Sequence, residues 1–393
     1  MVGGRVEPGF EEVRDAFEAC HPAEVGGGQL CVYRRGAAVV DIWTGRDPVN
    51  DRAYDGDTLG VLMSCTRGAV AIVVHRLAER GVLGLEDPVA RWWPEFAANG
   101  KGAITIAHCL SHSAGLMGHE PGTGMDGASA LDFDRSAAAL AAMAPLWPPG
   151  SAYLYHFTTY GYLLGEVVRR ATGRTVGQLF AAEIAGPLHL DMWIGLPDAE
   201  QGRVAPHLQA ENRLSAEGWR TMCKAMGADP DERFMRAIGE TFEGVEELID
   251  LLNTPARRAV EVPAANAVGN ARALARMYAA TIGAVDGMRL LKADTISLAR
   301  TPRTDHLKGP PPLPPAPDGD AQRFGLGFEL PRRLMPMISA GSFGHPGAGG
   351  RIGLADPESG YAVGYACNGM LWDGRNPDPR WGWMTALKDV AHA

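Results

Sequence analysis

Three short stretches combine residue types that can do covalent chemistry. The first is Val61-Leu62-Met63-Ser64-Cys65-Thr66-Arg67-Gly68. A turn-rich approach, Asp51 to Gly60, leads into it, and an apolar segment from Ala69 to Arg80 follows, closed by Gly81. This pattern predicts a helix that begins near Ser64. A serine at a helix start has free backbone N–H groups and the positive end of the helix dipole beside it. Both suit a nucleophile that must create and hold an oxyanion. Arg67, three residues on, shares its face. A serine that merely caps the helix fits the same place, and these eight residues alone do not separate the two roles.

The second stretch runs from Pro149 to Gly161 and contains Tyr155-His156-Phe157 just ahead of a helix predicted from Tyr160 to Thr172. A phenol there is a candidate acid or base; aromatic packing at a helix entrance also accounts for it. The third is Phe343-Gly344-His345-Pro346-Gly347-Ala348-Gly349-Gly350, where dense glycine lets backbone approach a ligand closely. His345 taken alone reads first as a structural histidine.

Several other chemistries find no support. No serine sits in Gly-x-Ser-x-Gly, and neither His-Glu-x-x-His nor Gly-x-x-x-x-Gly-Lys occurs. Gly122, Gly124 and Gly127 match a dinucleotide fingerprint by letter, but no strand precedes them, so a phosphate loop is not expected. The six cysteines are scattered without a Cys-x-x-Cys pair, which argues against a thiolate metal site or a disulfide framework. Net charge is −9, with 37 basic and 46 acidic residues and no basic stripe, so nucleic acid is not an expected partner. No run approaches the roughly 20 apolar residues of a membrane span. Met1 to Val25 lacks a signal-like apolar core, so the expected setting is cytoplasmic.

The elements that must hold these stretches can be read in outline. The 393 residues exceed one ordinary core and predict two lobes. Phe10 to Cys20 reads as a helix, and Gln29–Arg34 with Ala37–Thr44 as a hairpin around Arg35-Gly36. Ile104 to Leu110 reads as a helix start capped by Thr105, Ser136 to Ala144 and Asn270 to Ile282 as helices, and Trp383 to Ala391 as a terminal helix. Phe324–Leu330, Ile352–Asp356 and Tyr361–Cys367 read as strands. The proline-dense Gly309 to Asp320 reads as an exposed loop. Ala199 to Val260 is periodic but weakly punctuated and cannot be divided into elements. Strands at both ends with helices between predict an α+β protein. One lobe is a sheet from 1–68 and 300–393, the other is mainly helical from 69–299, and the site lies at their junction.

Taken as a set, the three stretches resemble the class C β-lactamase-related serine hydrolases. This group includes family VIII carboxylesterases, D-amino-acid peptidases, penicillin-binding-protein-like chains and some acyltransferases. The spacing of Ser64, Tyr155 and His345 carries the likeness, with Leu110-Ser111-His112-Ser113-Ala114-Gly115-Leu116, Pro149-Gly150 and Phe324-Gly325-Leu326-Gly327-Phe328. The resemblance implies the β-lactamase/transpeptidase-like fold, an antiparallel sheet lobe flanked by helices plus a helical lobe. It makes Ser64 the acyl-accepting nucleophile and Tyr155 the general base. His345 and Gly347 occupy the third motif, and the N–H groups of Ser64 and Ala348 form the oxyanion hole. The chemistry requires no metal or organic cofactor.

Two departures bear on function. The family's Ser-x-x-Lys lysine is Arg67 here, and no Ser-x-x-Lys occurs anywhere in the chain. Arginine stays protonated, so a lysine-type base is excluded and an electrostatic role remains. A fixed charge beside Tyr155 is expected to lower its pKa from the ordinary value of about 10. The asparagine of the family's Tyr-x-Asn is Phe157, which points away from β-lactams and toward more apolar acyl groups; His156 is a candidate polar contact. The expected activity is hydrolysis or acyl transfer on a small ester or amide. The alternatives are a fold that has lost hydrolysis and serves as a binding module, or a tailoring or cyclisation enzyme of small-molecule biosynthesis. Oligomeric state cannot be read.

Overall fold

Two glycines explain how the sheet and the helices fit together. Gly353 and Gly364 face each other across two neighbouring strands. A Cβ at Gly364 would stand 2.1 Å from the Ala271 carbonyl oxygen, and one at Gly353 would stand 2.6 Å from the Tyr278 ring. The helix Ala271–Ile282 therefore lies directly on the sheet at a point where only backbone separates them. Its start is fixed by Asn270, whose side chain accepts from Ala273 N–H at 2.8 Å.

The computed structural model describes residues 2–21, 26–125, 127–208, 216–316, 320–370 and 379–392. Its main sheet has eight strands in the order Gly3–Val6, Ala37–Thr44, Gly28–Arg34, Tyr361–Cys367, Arg351–Asp356, Phe343–Gly347, Glu329–Leu330, Arg323–Phe324. All neighbours are antiparallel. Strands from the two ends of the chain meet where Tyr361–Cys367 pairs with Gly28–Arg34. The Arg35-Gly36 turn has φ +50° and +87°, the paired positive values that suit a two-residue hairpin.

The face opposite Ala271–Ile282 is covered by the helices Glu11–Ala19 and Gly382–His392. Val13, Phe17, Trp383 and Leu387 pack there on Leu30, Val32, Val363 and Tyr365. On the other side lies Thr66–Glu79, buried almost all round, which explains why its sequence is apolar rather than amphipathic. Around it stand Ile106–Leu110, Phe133–Ala142 and Thr159–Thr172. A three-stranded sheet, Gly60–Val61, Ala267–Gly269 and Met192–Ile194, ties the entrance of the buried helix to the chain ahead of Ala271.

Most sequence expectations hold, and the differences have local causes. Phe324–Leu330 is not one strand. Gly327, at φ +90°, turns the chain so that Arg323–Phe324 and Glu329–Leu330 pair with each other. Phe133–Ala142 starts ahead of Ser136 because Asp132 caps it, accepting from Arg135 N–H at 3.0 Å. The undivided middle contains Ala216–Ala225 and Arg233–Leu251. Glu232 precedes the longer helix without a side-chain capping bond, so the usual start signal is missing. Trp219, Phe234, Met235 and Ile238 pack these helices on Met117 and Trp147. The glycine loop is held as expected of a structural loop: Gly122 and Gly127 donate their N–H groups to Glu240 and Glu247. Part of the proline-dense segment, 317–319, lies outside the described residues. Among the described residues no helix is long and apolar enough to cross a membrane.

Candidate active site

Ser64 sits in a strained turn. Met63 immediately before it has φ +50°, a left-handed value that costs a non-glycine residue energy and is sustained by surrounding contacts. Those contacts are present. Thr66 Oγ1 donates to Met63 O at 2.6 Å and accepts from Ala267 N–H at 2.9 Å, and Leu62 N–H donates to Ala267 O at 2.7 Å. The turn Met63–Cys65 then runs into Thr66–Glu79. Neither helix start is capped by the Ser64 side chain. Ser64 is half-buried between buried Met63 and Cys65, and its side chain is near enough to the Tyr155 phenol to hold that group's pKa down.

Arg67 lies one turn on and is 2% exposed. Its Nη1 donates to Ala264 O at 2.7 Å, and Nη2 donates to Phe157 O at 2.5 Å and His156 O at 3.4 Å. Its Nε has no partner, and among the described residues it forms no ion pair. The guanidinium instead lies 4.5 Å from the centre of the Tyr155 ring and 5.7 Å from that of Tyr160. It stacks on the phenol ring and staples the Tyr155 loop to the Ala264 segment.

Tyr155 is enclosed by rings. Phe324 stacks at 6.1 Å, Phe157 meets it edge-on at 5.2 Å, and the His112 and His345 rings lie at 4.8 and 5.9 Å. This enclosure overturns one expectation. Burial pushes the Tyr155 pKa up to about 12, outweighing the Arg67 charge and the Ser64 hydrogen bond, both of which lower it. Arg67 limits a rise rather than producing a fall.

The three histidines here differ in availability. His156 is not a cleft contact: its Nδ1 bonds Leu154 O at 2.7 Å and its Nε2 accepts from Leu116 N–H at 3.1 Å, so both nitrogens hold backbone. His345 Nδ1 bonds Pro346 O at 2.7 Å, while Nε2 is buried and unpartnered. Burial, with the Arg67 charge, pulls the His345 pKa down to about 3, which leaves a neutral ring beside Tyr155. His112, at φ +60°, accepts from His156 N–H through Nδ1 at 3.0 Å. In the sequence His112 carries no signal of a role beyond its place in the Leu110–Leu116 phrase. Nor does Glu329, a buried carboxyl whose burial pushes its pKa up to about 7 and on which the Arg67 charge acts.

The third stretch abuts the first. A Cβ at Gly347 would stand 2.5 Å from Leu62 O, so the end of Phe343–Gly347 is pressed against the turn that carries Ser64. Ala348 follows at once, and Phe157 reaches the other way, meeting Phe242 edge-on at 5.2 Å. Ser64, Arg67, Tyr155, His345, Gly347 and Phe157 thus converge, and His156 lies behind them.

With this geometry in hand, comparison with known proteins decides the lineage. The beta-lactamase family matches residues 14–385. The chain belongs to the beta-lactamase family. It is 34% identical over 381 residues to the esterase/beta-lactamase LipL of Mycobacterium tuberculosis, covering 94% of this chain and 83% of that protein. It also resembles the crystal structure of a family VIII carboxylesterase, with a TM-score of 0.78, 33% identity and coverage of 100% and 99% of the two chains. EstA from Arthrobacter nitroguajacolicus gives a TM-score of 0.83 at 30% identity, covering 98% of each chain. The α+β, β-lactamase/transpeptidase-like architecture expected from the motifs is the fold of this beta-lactamase family chain.

Replacing Arg67 tests its place beside Tyr155. Arg67→Met removes the charge that restrains the phenol pKa and leaves the carbonyls of Ala264 and Phe157 without their donors. On the ester activity proposed below, kcat/KM at neutral pH is expected to fall about 10- to 100-fold, with the basic limb of its pH profile displaced upward. Unchanged kcat/KM in steady-state assays would show that the guanidinium does not act on Tyr155.

Proposed function

We propose that this beta-lactamase family chain is a carboxylesterase that cleaves small esters through an acyl-enzyme on Ser64. The observation that carries the reading is the convergence of the strained, half-buried Ser64 turn with Tyr155, whose ring lies on Arg67 and beside His345, and with the strand end at Gly347. The esterase names of LipL, EstA and the family VIII structure support it.

In this mechanism the Tyr155 phenolate takes the Ser64 proton as Oγ bonds the ester carbonyl carbon. The N–H groups of Ser64 and Ala348 hold the resulting oxyanion. Tyr155 then gives its proton to the departing alkoxide as the carbon–oxygen bond breaks. Water enters, Tyr155 takes one of its protons, and hydroxide displaces Ser64, which recovers a proton from Tyr155. The proton count closes on Tyr155 alone. Arg67 holds the ring by its face and opposes the cost of a buried phenolate, and His345 borders the phenol as a neutral group.

The substrate class follows from the walls. Phe157 and Phe324 line Tyr155 with aromatic surface, and Phe157 offers no amide to an acylamino side chain. Short p-nitrophenyl esters are expected to be hydrolysed with kcat/KM about 100-fold or more above that for nitrocefin. Parallel steady-state assays check this. Preferential nitrocefin hydrolysis would assign the site to β-lactams, and no turnover of either would overturn the ester reading.

A further inference from the structure

Behind the oxyanion turn lies a cluster that the ester mechanism above does not use. Three successive carbonyls of the turn after Phe343–Gly347 are each held by a buried side chain from below. Ala348 O accepts from Arg351 Nη1 at 2.7 Å. Gly349 O accepts from Arg380 Nη2 and from the Cys367 thiol, the latter at 3.3 Å. Gly350 O accepts from Trp381 Nε1 at 2.7 Å. Arg351 is 1% exposed, Arg380 4% and Trp381 8%. Arg380 and Trp381 come from the start of the C-terminal helix, far from the other motifs in sequence.

The geometry has a direct consequence. A trans peptide carries its N–H opposite its C=O. Fixing the carbonyls of Ala348, Gly349 and Gly350 therefore fixes the N–H groups of Gly349, Gly350 and Arg351 on the opposite side of each peptide, and anchors Ala348, whose own N–H belongs to the preceding peptide, at its carbonyl end. Gly349 and Gly350, at φ +76° and +98°, give a conformation with little intrinsic preference for one orientation. A side chain at Gly349 would also collide with Arg351, since a Cβ there would stand 2.1 Å from Nη1. The clamp supplies the orientation that the glycines leave open.

Arg351 adds charge as well as position. It has no carboxylate partner among the described residues, and its Nε and Nη2 are buried without hydrogen bonds. A buried, uncancelled cation raises the potential at nearby atoms far more than one in water. Its reach includes the residue beside the nucleophile, where it favours the Cys65 thiolate against burial.

We propose that Arg351, Arg380 and Trp381 form a rear clamp of positioning residues that orients the oxyanion turn and stabilises the developing oxyanion from behind. The proposal rests on the Ser64 ester reading. It predicts an effect on the transition state and not on ground-state binding.

The test uses the full chain with Arg351→Met, Arg351→Lys and Trp381→Phe. Active sites are counted by end-point labelling with a fluorophosphonate, so that misfolded protein is excluded from kcat. For p-nitrophenyl butyrate, Arg351→Met is expected to lower kcat per site about 10- to 100-fold with KM within about twofold, less than the loss of a direct oxyanion donor. Inhibition by phenylboronic acid, whose tetrahedral adduct uses the same turn, is expected to weaken in proportion. Arg351→Lys, which keeps the charge, is expected to recover part of kcat. Trp381→Phe, which keeps the bulk and loses one donor, is expected to lower kcat a few-fold and remains scorable if Arg351→Met does not fold. Wild-type kcat per labelled site in these variants, or a rise in KM with kcat unchanged, overturns the clamp alone. Wild-type turnover that survives Ser64→Ala overturns the ester reading and the clamp with it.

Discussion

Ser64→Ala is expected to reduce ester hydrolysis at least about 10⁴-fold, to the level that the remaining site residues supply without a nucleophile. The structure makes this substitution unusually clean. Ser64 is half-buried, and its side chain caps neither helix start. A serine serving as a cap would cost about 1 kcal/mol on replacement, whereas here stability is expected to change by less than about 0.5 kcal/mol. Activity and stability therefore separate. A large loss of rate with an unaltered melting temperature fits a nucleophile, and a matched loss of both fits a structural serine. Melting curves beside steady-state rates make the measurement.

The second large effect is expected at Tyr155. Tyr155→Phe keeps the ring against Arg67, Phe324 and Phe157 and removes only the hydroxyl, the proposed proton carrier. Loss of the proton carrier is expected to lower kcat/KM about 10³-fold. The pH profile gives the sign. A base must be deprotonated to act, and burial pushes this phenol up to about 12. The active fraction in the free enzyme then grows about tenfold for each pH unit below that value. Wild-type kcat/KM is thus expected to climb from pH 7 to pH 10 without a plateau, and Tyr155→Phe to flatten the climb. A plateau below pH 8 in the wild-type profile would assign the base to another group, Glu329 being the buried acid nearest that range.

The hairpin at Arg35-Gly36 and the Thr105 cap were legible because each is a local backbone requirement met by one residue type. Ser64, Tyr155 and His345 were legible as a family pattern, though nothing in their own neighbourhoods fixed a role. The environment of Tyr155 was not legible. Its aromatic walls come from Phe324 and His112, far away in sequence, and their combined desolvation outweighs a charge only three residues from Ser64. His156 was misjudged for a similar reason. Adjacent to Tyr155 in the chain, it faces the opposite way and bonds Leu116 and Leu154. The clamp of Arg351, Arg380 and Trp381 left no trace in the sequence at all, because it joins a turn to a helix start through carbonyls that any residue carries.

Arg67 illustrates the same point at the centre of the site. By sequence it stands where a lysine is expected and raises the question of whether the site works. In the fold it reaches past Ser64 to three carbonyls and lies on the face of Tyr155, so its length is used rather than merely accommodated. Its charge opposes the burial that raises the phenol pKa. This makes it compatible with acyl chemistry without making it a base.

Trapping a covalent acyl-enzyme on Ser64 tests the proposed mechanism at its defining step. The protein is mixed with p-nitrophenyl butyrate, quenched in acid within the first turnover, and its intact mass measured, followed by peptide mapping. A single added butyryl group is expected on the peptide that contains Ser64, absent from Ser64→Ala. Turnover without any adduct, or an adduct on a different residue, would contradict the mechanism.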